Sequence, residues 1–204
     1  RRISPAAVRV RERAVNRPPS PSGAGPGTVE SRRDARLVGL ATLAFVLSQG
    51  HLLAMLGGLE PNVLVLQLAF SPTAFRDVLA RWGDAGVAAY RAHFVFDDIH
   101  CFIYGGFGYL VATRTPLCAG ARPGWRRALR DCLPVAGVCD LLENLAHRAL
   151  LGATGDGDAL LVPVASSLSL AKWLLVALFA LVVAAALGRW GWRQWRGWAG
   201  GNRD

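Results

Sequence analysis

The chain has 204 residues, 52% of them hydrophobic, which fits one domain by length and is too apolar for an ordinary soluble one. A net charge of +9 and a pI of about 10.6 would suit nucleic acid, but the arginines gather in the tails and in one connection between apolar runs. That placement excludes nucleic acid as a partner. Cys101, Cys118, Cys132 and Cys139 form no C-x-x-C pair, so the thiols read as small apolar fillers and the chain is a poor candidate for a membrane thiol oxidoreductase.

Residues 1–36 are rich in Arg, Pro, Ser and Gly, show no apolar period and read as a disordered basic tail. The chain opens on Arg1 rather than a methionine, which leaves room for preceding residues. A first membrane-spanning helix is expected at about 37–57, with Gln49 and His51 near its far end. The connection 58–91 is long. Its segment 63–70 (VLVLQLAF) suits a short strand or a piece lying on the membrane. Ser71 and Pro72 then look like an N-cap and first-turn proline of a helix reaching Trp82, with Gly83 as its stop and Asp84 as the next cap. This region is expected to form an extracytoplasmic lid.

A second span at about 93–112 places Asp97, His100, Cys101, Tyr104 and Gly108 along one side, and Gly105, Gly106 and Gly108 would let another helix approach closely. A basic connection, 113–131, precedes the third span at about 133–151. After a Gly/Asp turn the fourth runs from about 161 to 187, carrying Ser166, Ser169 and Lys172 or Trp173 at helical spacing. The tail 188–204 interleaves Trp and Arg, which directly after a spanning helix reads as an interfacial belt on anionic lipid headgroups. The fold class expected is all-α: a four-helix transmembrane bundle, up-down-up-down, with a helix or strand lid between the first two helices.

Lys and Arg set the orientation. The N-terminal tail, the 113–131 connection and the C-terminal tail carry nine, five and four, against four on the opposite side. Four spans with that asymmetry put both termini in the cytoplasm.

Within the third span Asp140, Glu143, Asn144 and His147 follow the i, i+3, i+4, i+7 spacing and form one stripe. A mid-helix Asp costs roughly 2.5 to 3.5 kcal/mol to insert, so such groups face partners or a wet cavity. Counting from each outer end at 1.5 Å per residue, Gln49, His51, Asp97, His100, Tyr104, Asp140, Glu143, His147 and Lys172 share a slab about 6 to 17 Å deep. Matched depth on four helices predicts one inward-facing cluster. Lys172 is expected to neutralise Asp140 or Glu143, and Tyr104 to donate to Asp140. His93, Asp97, His100, Glu143 and His147 offer nitrogen and oxygen ligands for zinc or iron, with Asp97, His100, Glu143 and His147 the metal candidates. Ser166, Ser167 or Ser169 with Lys172 hints at a Ser–Lys hydrolase, although nothing marks a nucleophile.

The order of these features resembles a family of uncharacterised bacterial four-helix integral membrane proteins. The matching positions are Trp82, Gly83, Gly86 and Tyr90, then Asp97 and Tyr104, then Asp140, Glu143 and Asn144 (D-x-x-E-N), then Lys172 and Trp173. His100 and Cys101 stand where the family pattern has Phe-Pro. The resemblance implies a multi-pass protein of the bacterial cytoplasmic membrane, and it implies no activity or cofactor. Three functions follow from the residues: binding or moving a small ligand, ion or proton; an enzyme acting on a lipid or isoprenoid through a metal or an acid–base pair; or a structural or assembly partner. Four helices are few for a solute carrier, so a homodimer is the expected assembly.

Overall fold

A computed structural model describes residues 26–118, 122–152 and 158–200. Among them the chain is all-helical: α1 (Pro26–Leu56), α2 (Val63–Gln67), α3 (Pro72–Arg114), a 3-10 turn (Pro116–Cys118), α4 (Pro123–Gly152) and α5 (Asp158–Gly200). By contacts it forms two units, Arg1–Asp34 and Ala35–Asp204. Of the first unit, the described part is helical from Pro26, so residues 26–36 depart from the expected disordered tail. Residues 1–25 of that expected tail lie outside the described residues. So do 119–121, 153–157 (most of the expected Gly/Asp turn) and 201–204.

Each expected span falls within a longer helix, apart from residue 57, which follows the end of α1. The basic connection is shorter than 113–131. Residues 123–131, with Arg126, Arg127 and Arg130, already belong to α4, where Arg130 donates to Asp131 at 2.7 Å. The adjacent guanidinium holds that exposed carboxyl below the usual carboxylate range. The Trp/Arg tail is likewise helical, continuing α5 to Gly200. Trp190, Trp192 and Trp195 stand exposed on it, and Arg196 lies over the Trp192 ring.

Two helical stretches, Ser31–Leu56 and Asp158–Arg196, are long and apolar enough to cross a membrane, with mean hydropathies of 1.7 and 2.5. α3 and α4 are long enough but fall short in composition, because one face of each is polar. Those polar faces point inward. Asp97, His100, Asp140, Glu143, Asn144 and His147 are buried, whereas Ile99 and Phe102 on α3 and Val138 and Leu145 on α4 are more than half exposed. Along this stretch α3 and α4 therefore turn polar side chains inward and apolar ones outward.

Central α4 packs against α3 on one side and α5 on the other. Glycines set the α3–α4 approach. A Cβ on Gly108 would sit 2.5 Å from Leu133 Cβ, and one on Gly137 would sit 2.9 Å from the Cys101 carbonyl oxygen. Gly105 abuts the Pro134 backbone. Gly106, expected to share this role, faces outward, and a Cβ added there would meet nothing within 4 Å. α1 meets α3 through stacked Phe45 and Phe107 and through His51 edge-on to Phe96.

The 58–91 connection does fold over one end of the bundle. Its 63–67 segment is a helix, so the strand alternative is overturned; Val63–Gln67 sits against α3 and α5. Ser71 caps α3, its hydroxyl accepting from the Ala74 amide at 3.2 Å. Gly83, at φ 61°, breaks α3 into residues 72–82 and 84–114, and that left-handed backbone suits glycine. Leu66, Phe75, Val78, Trp82 and Tyr90 then close against Leu150 on α4 and Val162 on α5. Arg76 pairs with Asp158, and Arg91 donates to the Leu151 carbonyl, tying lid to bundle.

Candidate functional site

The α4 stripe faces α5 and α3 at once. One turn and less apart, Asp140 and Glu143 both reach Lys172: Nζ lies 2.7 Å from Asp140 Oδ1 and 2.7 Å from Glu143 Oε2. All three side chains are buried, Glu143 completely. Two carboxylates around one ammonium is an arrangement that low-dielectric surroundings tolerate only when each charge is close to its partner. Asp140's other oxygen accepts from the Tyr104 hydroxyl at 3.1 Å, which joins α3 to the same knot.

One turn further along α4, Asn144 donates to Asp97 Oδ2 (2.9 Å) and Asp98 Oδ1 (3.1 Å), so a single amide bridges two neighbouring carboxylates. Arg148 compensates Asp98. Among the described residues Asp97 receives no Lys or Arg partner; His93 Nε2 lies 3.9 Å from it. His147 is buried and hydrogen-bonded through Nδ1 to the Tyr90 hydroxyl at 2.7 Å, with Glu143 Oε1 3.9 Å away. His100 turns towards α1, where its Nδ1 and the Ser48 hydroxyl are 2.8 Å apart and its ring stacks on Phe45.

A cavity of about 410 Å³ lies against this knot. Its polar side is formed by His93, Asp97, His100, Tyr104, Asp140 and Lys172. The α1 and α2 lining is mainly apolar, built from Leu52, Leu53 and Leu56 of α1 with Val63 and Leu64 of α2, and includes the amides Gln49, Asn62 and Gln67. Gln67, buried in α2, accepts from the Trp173 indole at 3.0 Å and closes the polar rim. Beyond Tyr104 and Asp140 the bundle changes character: Val111, Cys132, Leu133, Ala136 and Phe179 pack without a charged group.

Of the sequence candidates, Asp97, Tyr104, Asp140, Glu143, Asn144 and Lys172 come together, with His100 at the edge of the cavity and His147 behind it. His51 does not join them; it is exposed beside Phe96. The four metal candidates do not form one group: His100 engages Ser48 and His147 engages Tyr90. Among the described residues, the group whose ligand atoms lie within 4.8 Å of one another is instead Asp97, Cys101 and Asp140. The Ser–Lys hint also dissolves. Ser166, Ser167 and Ser169 each donate to a backbone carbonyl, of Ala69, Pro163 and Ala165, while Lys172 holds the two carboxylates.

Sequence reasoning named Tyr90 only as a position of the family resemblance and missed its bond to His147, along with Ser48, Gln67 and the Asp98–Arg148 pair. Tyr90, His93, Asp97, His100 and Tyr104 are spaced three and four apart, so continuing the α3 stripe one turn backwards would have found Tyr90. Gln67 carries a weaker signal, a lone amide in an apolar octet. No protein-family model, curated protein or solved structure matches the chain.

Proposed function

We propose that the chain is a multi-pass membrane protein whose four long helices cross the bilayer and whose recessed polar knot binds a small ligand. The outward apolar faces support the crossing of α3 and α4: Asp97, Asp140 and Glu143 are buried while Ile99, Phe102, Val138 and Leu145 are exposed, which suits hydrocarbon rather than water. The arginine asymmetry favours both termini in the cytoplasm, in a bacterial cytoplasmic membrane, with the lid on the outer side. The exposed Trp/Arg end of α5 then rests among anionic headgroups.

The observation that carries the binding reading is the cavity, within the roughly 300–1,000 Å³ range of small-molecule sites, mostly apolar and lined by a few convergent polar groups. Binding is favoured over passage, since the apolar packing around Leu133 and Phe179 offers an ion no partners below Asp140. A thermal-shift titration of the purified protein with alkyl amines, alcohols, carboxylates, sodium and calcium tests it. Leu53→Trp serves as a variant whose indole fills the apolar side. A saturable rise in melting temperature, lost in Leu53→Trp, is the expected result; no saturable response to any probe overturns the reading.

An enzyme is the second reading, favoured by the Tyr104–Asp140–Lys172 contact beside the cavity, which offers a hydroxyl proton and a carboxylate to a bound lipid. Asp97, Cys101 and Asp140 would be its metal ligands. Metal analysis of the purified protein discriminates: stoichiometric zinc or iron lost in Asp97→Asn supports the metal-dependent version, and a metal-free sample rejects it.

A further inference from the structure

We infer that the cavity takes an amphiphile with a protonated amine head, seated on Asp97 with its apolar tail along α1 and α2. The inference rests on the ligand-binding reading and adds the chemical class.

Charge decides the head. Around the knot, Lys172 is shared between Asp140 and Glu143, and Arg148 answers Asp98. Among the described residues of the knot, Asp97 is the remaining carboxylate, held by an amide and lining the cavity, with its side chain 12% exposed. Counted formally, Asp97, Asp140 and Glu143 outnumber Lys172 by two negative charges. A buried excess of that sign favours a cation and repels a phosphate or carboxylate head. The aromatic residues Phe45, Tyr104 and Trp173 line the same space, a composition that suits an ammonium.

Shape decides the tail. A free inorganic cation would leave Leu52, Leu53, Leu56, Val63 and Leu64 without an occupant, whereas an alkyl chain covers them. Leu53 and Leu64 are themselves exposed, so the apolar side reaches the outer surface of the helices and admits a ligand dissolved in the bilayer.

The test uses full-length protein in nanodiscs, titrated calorimetrically at neutral pH with octylamine, octanol and octyl phosphate. Octylamine is expected to bind about tenfold more tightly than octanol, the scale of a charge-assisted hydrogen bond, and octyl phosphate not to saturate. Asp97→Asn is expected to bring amine and alcohol within about twofold while octanol still binds. Equal binding of amine and alcohol to the unaltered protein, with both lost in Leu53→Trp, overturns the amine assignment and leaves the cavity reading intact. Saturable binding of none of the three probes overturns both. Because the amine-to-alcohol ratio is read first on the unaltered protein, a poorly folding Asp97→Asn does not remove the test.

Discussion

At the level of Lys172 the helices meet through ion pairs and hydrogen bonds, whereas about two turns away, around Leu133 and Phe179, they meet mainly through shape, with a thiol hydrogen bond from Cys132 to the Leu175 carbonyl. The same helices α3, α4 and α5 supply both levels. In the polar level each side chain has a chemical complement on another helix: Asp140 and Glu143 on α4 meet Lys172 on α5, and Asn144 on α4 meets Asp97 on α3. In the apolar level the complement is steric, with Gly108 on α3 making room for Leu133 on α4. Removing a partner from the first strands a charge in low dielectric. Adding an atom to the second forces backbones apart. The two levels therefore fail by different mechanisms, and substitutions can tell them apart.

Lys172→Ala is expected to do the most damage, about 3–5 kcal/mol, because it leaves Asp140 and Glu143 buried together without a cation. Thermal unfolding in detergent measures it. Adding Asp140→Asn and Glu143→Gln to the same variant should restore much of the loss, since the stranded charges disappear with the lysine. A lysine variant as stable as the parent would mean the polar level is not ion-paired, and the contrast with the apolar level would break.

Tyr104→Phe comes next, at about 1.5–3 kcal/mol, the range for a hydrogen bond to a charged acceptor. Asp140 keeps Lys172, so the loss stays below that of the lysine variant. Gly108→Ala follows at about 1–3 kcal/mol, by overpacking against Leu133. Its signature is different: the hydroxyl deletion acts on one contact, while the added methyl pushes α3 from α4. Double variants sharpen this, for Tyr104→Phe with Lys172→Ala should be non-additive through shared Asp140.

How far the chain could be read in advance follows the same division. The polar level was legible, because Asp140, Glu143, Asn144 and His147 recur at helical spacing inside an apolar run, and a charge there requires a partner at the same depth. That reasoning paired Lys172 and Tyr104 with Asp140. It failed at His51, since depth along a helix does not fix which way its side chain faces. Rotation of α1 puts Gln49 on the cavity and His51 outside it. The lid's capping by Ser71 and its break at Gly83 were legible from local backbone chemistry. The helical form of residues 63–67 was not, because an apolar run this short suits strand and helix alike and its packing on α3 and α5 decides.

Gly106 separates the inner face of α3 from the outer one at the smallest energetic scale. Two residues before Gly108, it lies on the exposed side, where an added Cβ meets nothing within 4 Å. Gly106→Ala should therefore lie within about 1 kcal/mol of the parent and on the stabilising side, from helix propensity alone. Parallel melts of the two alanine variants test this. If Gly106→Ala costs as much as Gly108→Ala, a neighbouring surface must press on Gly106, and a second copy of the chain is the first surface to look for. Cross-linking through a cysteine at position 106 would then capture that copy, and its absence would place hydrocarbon there instead.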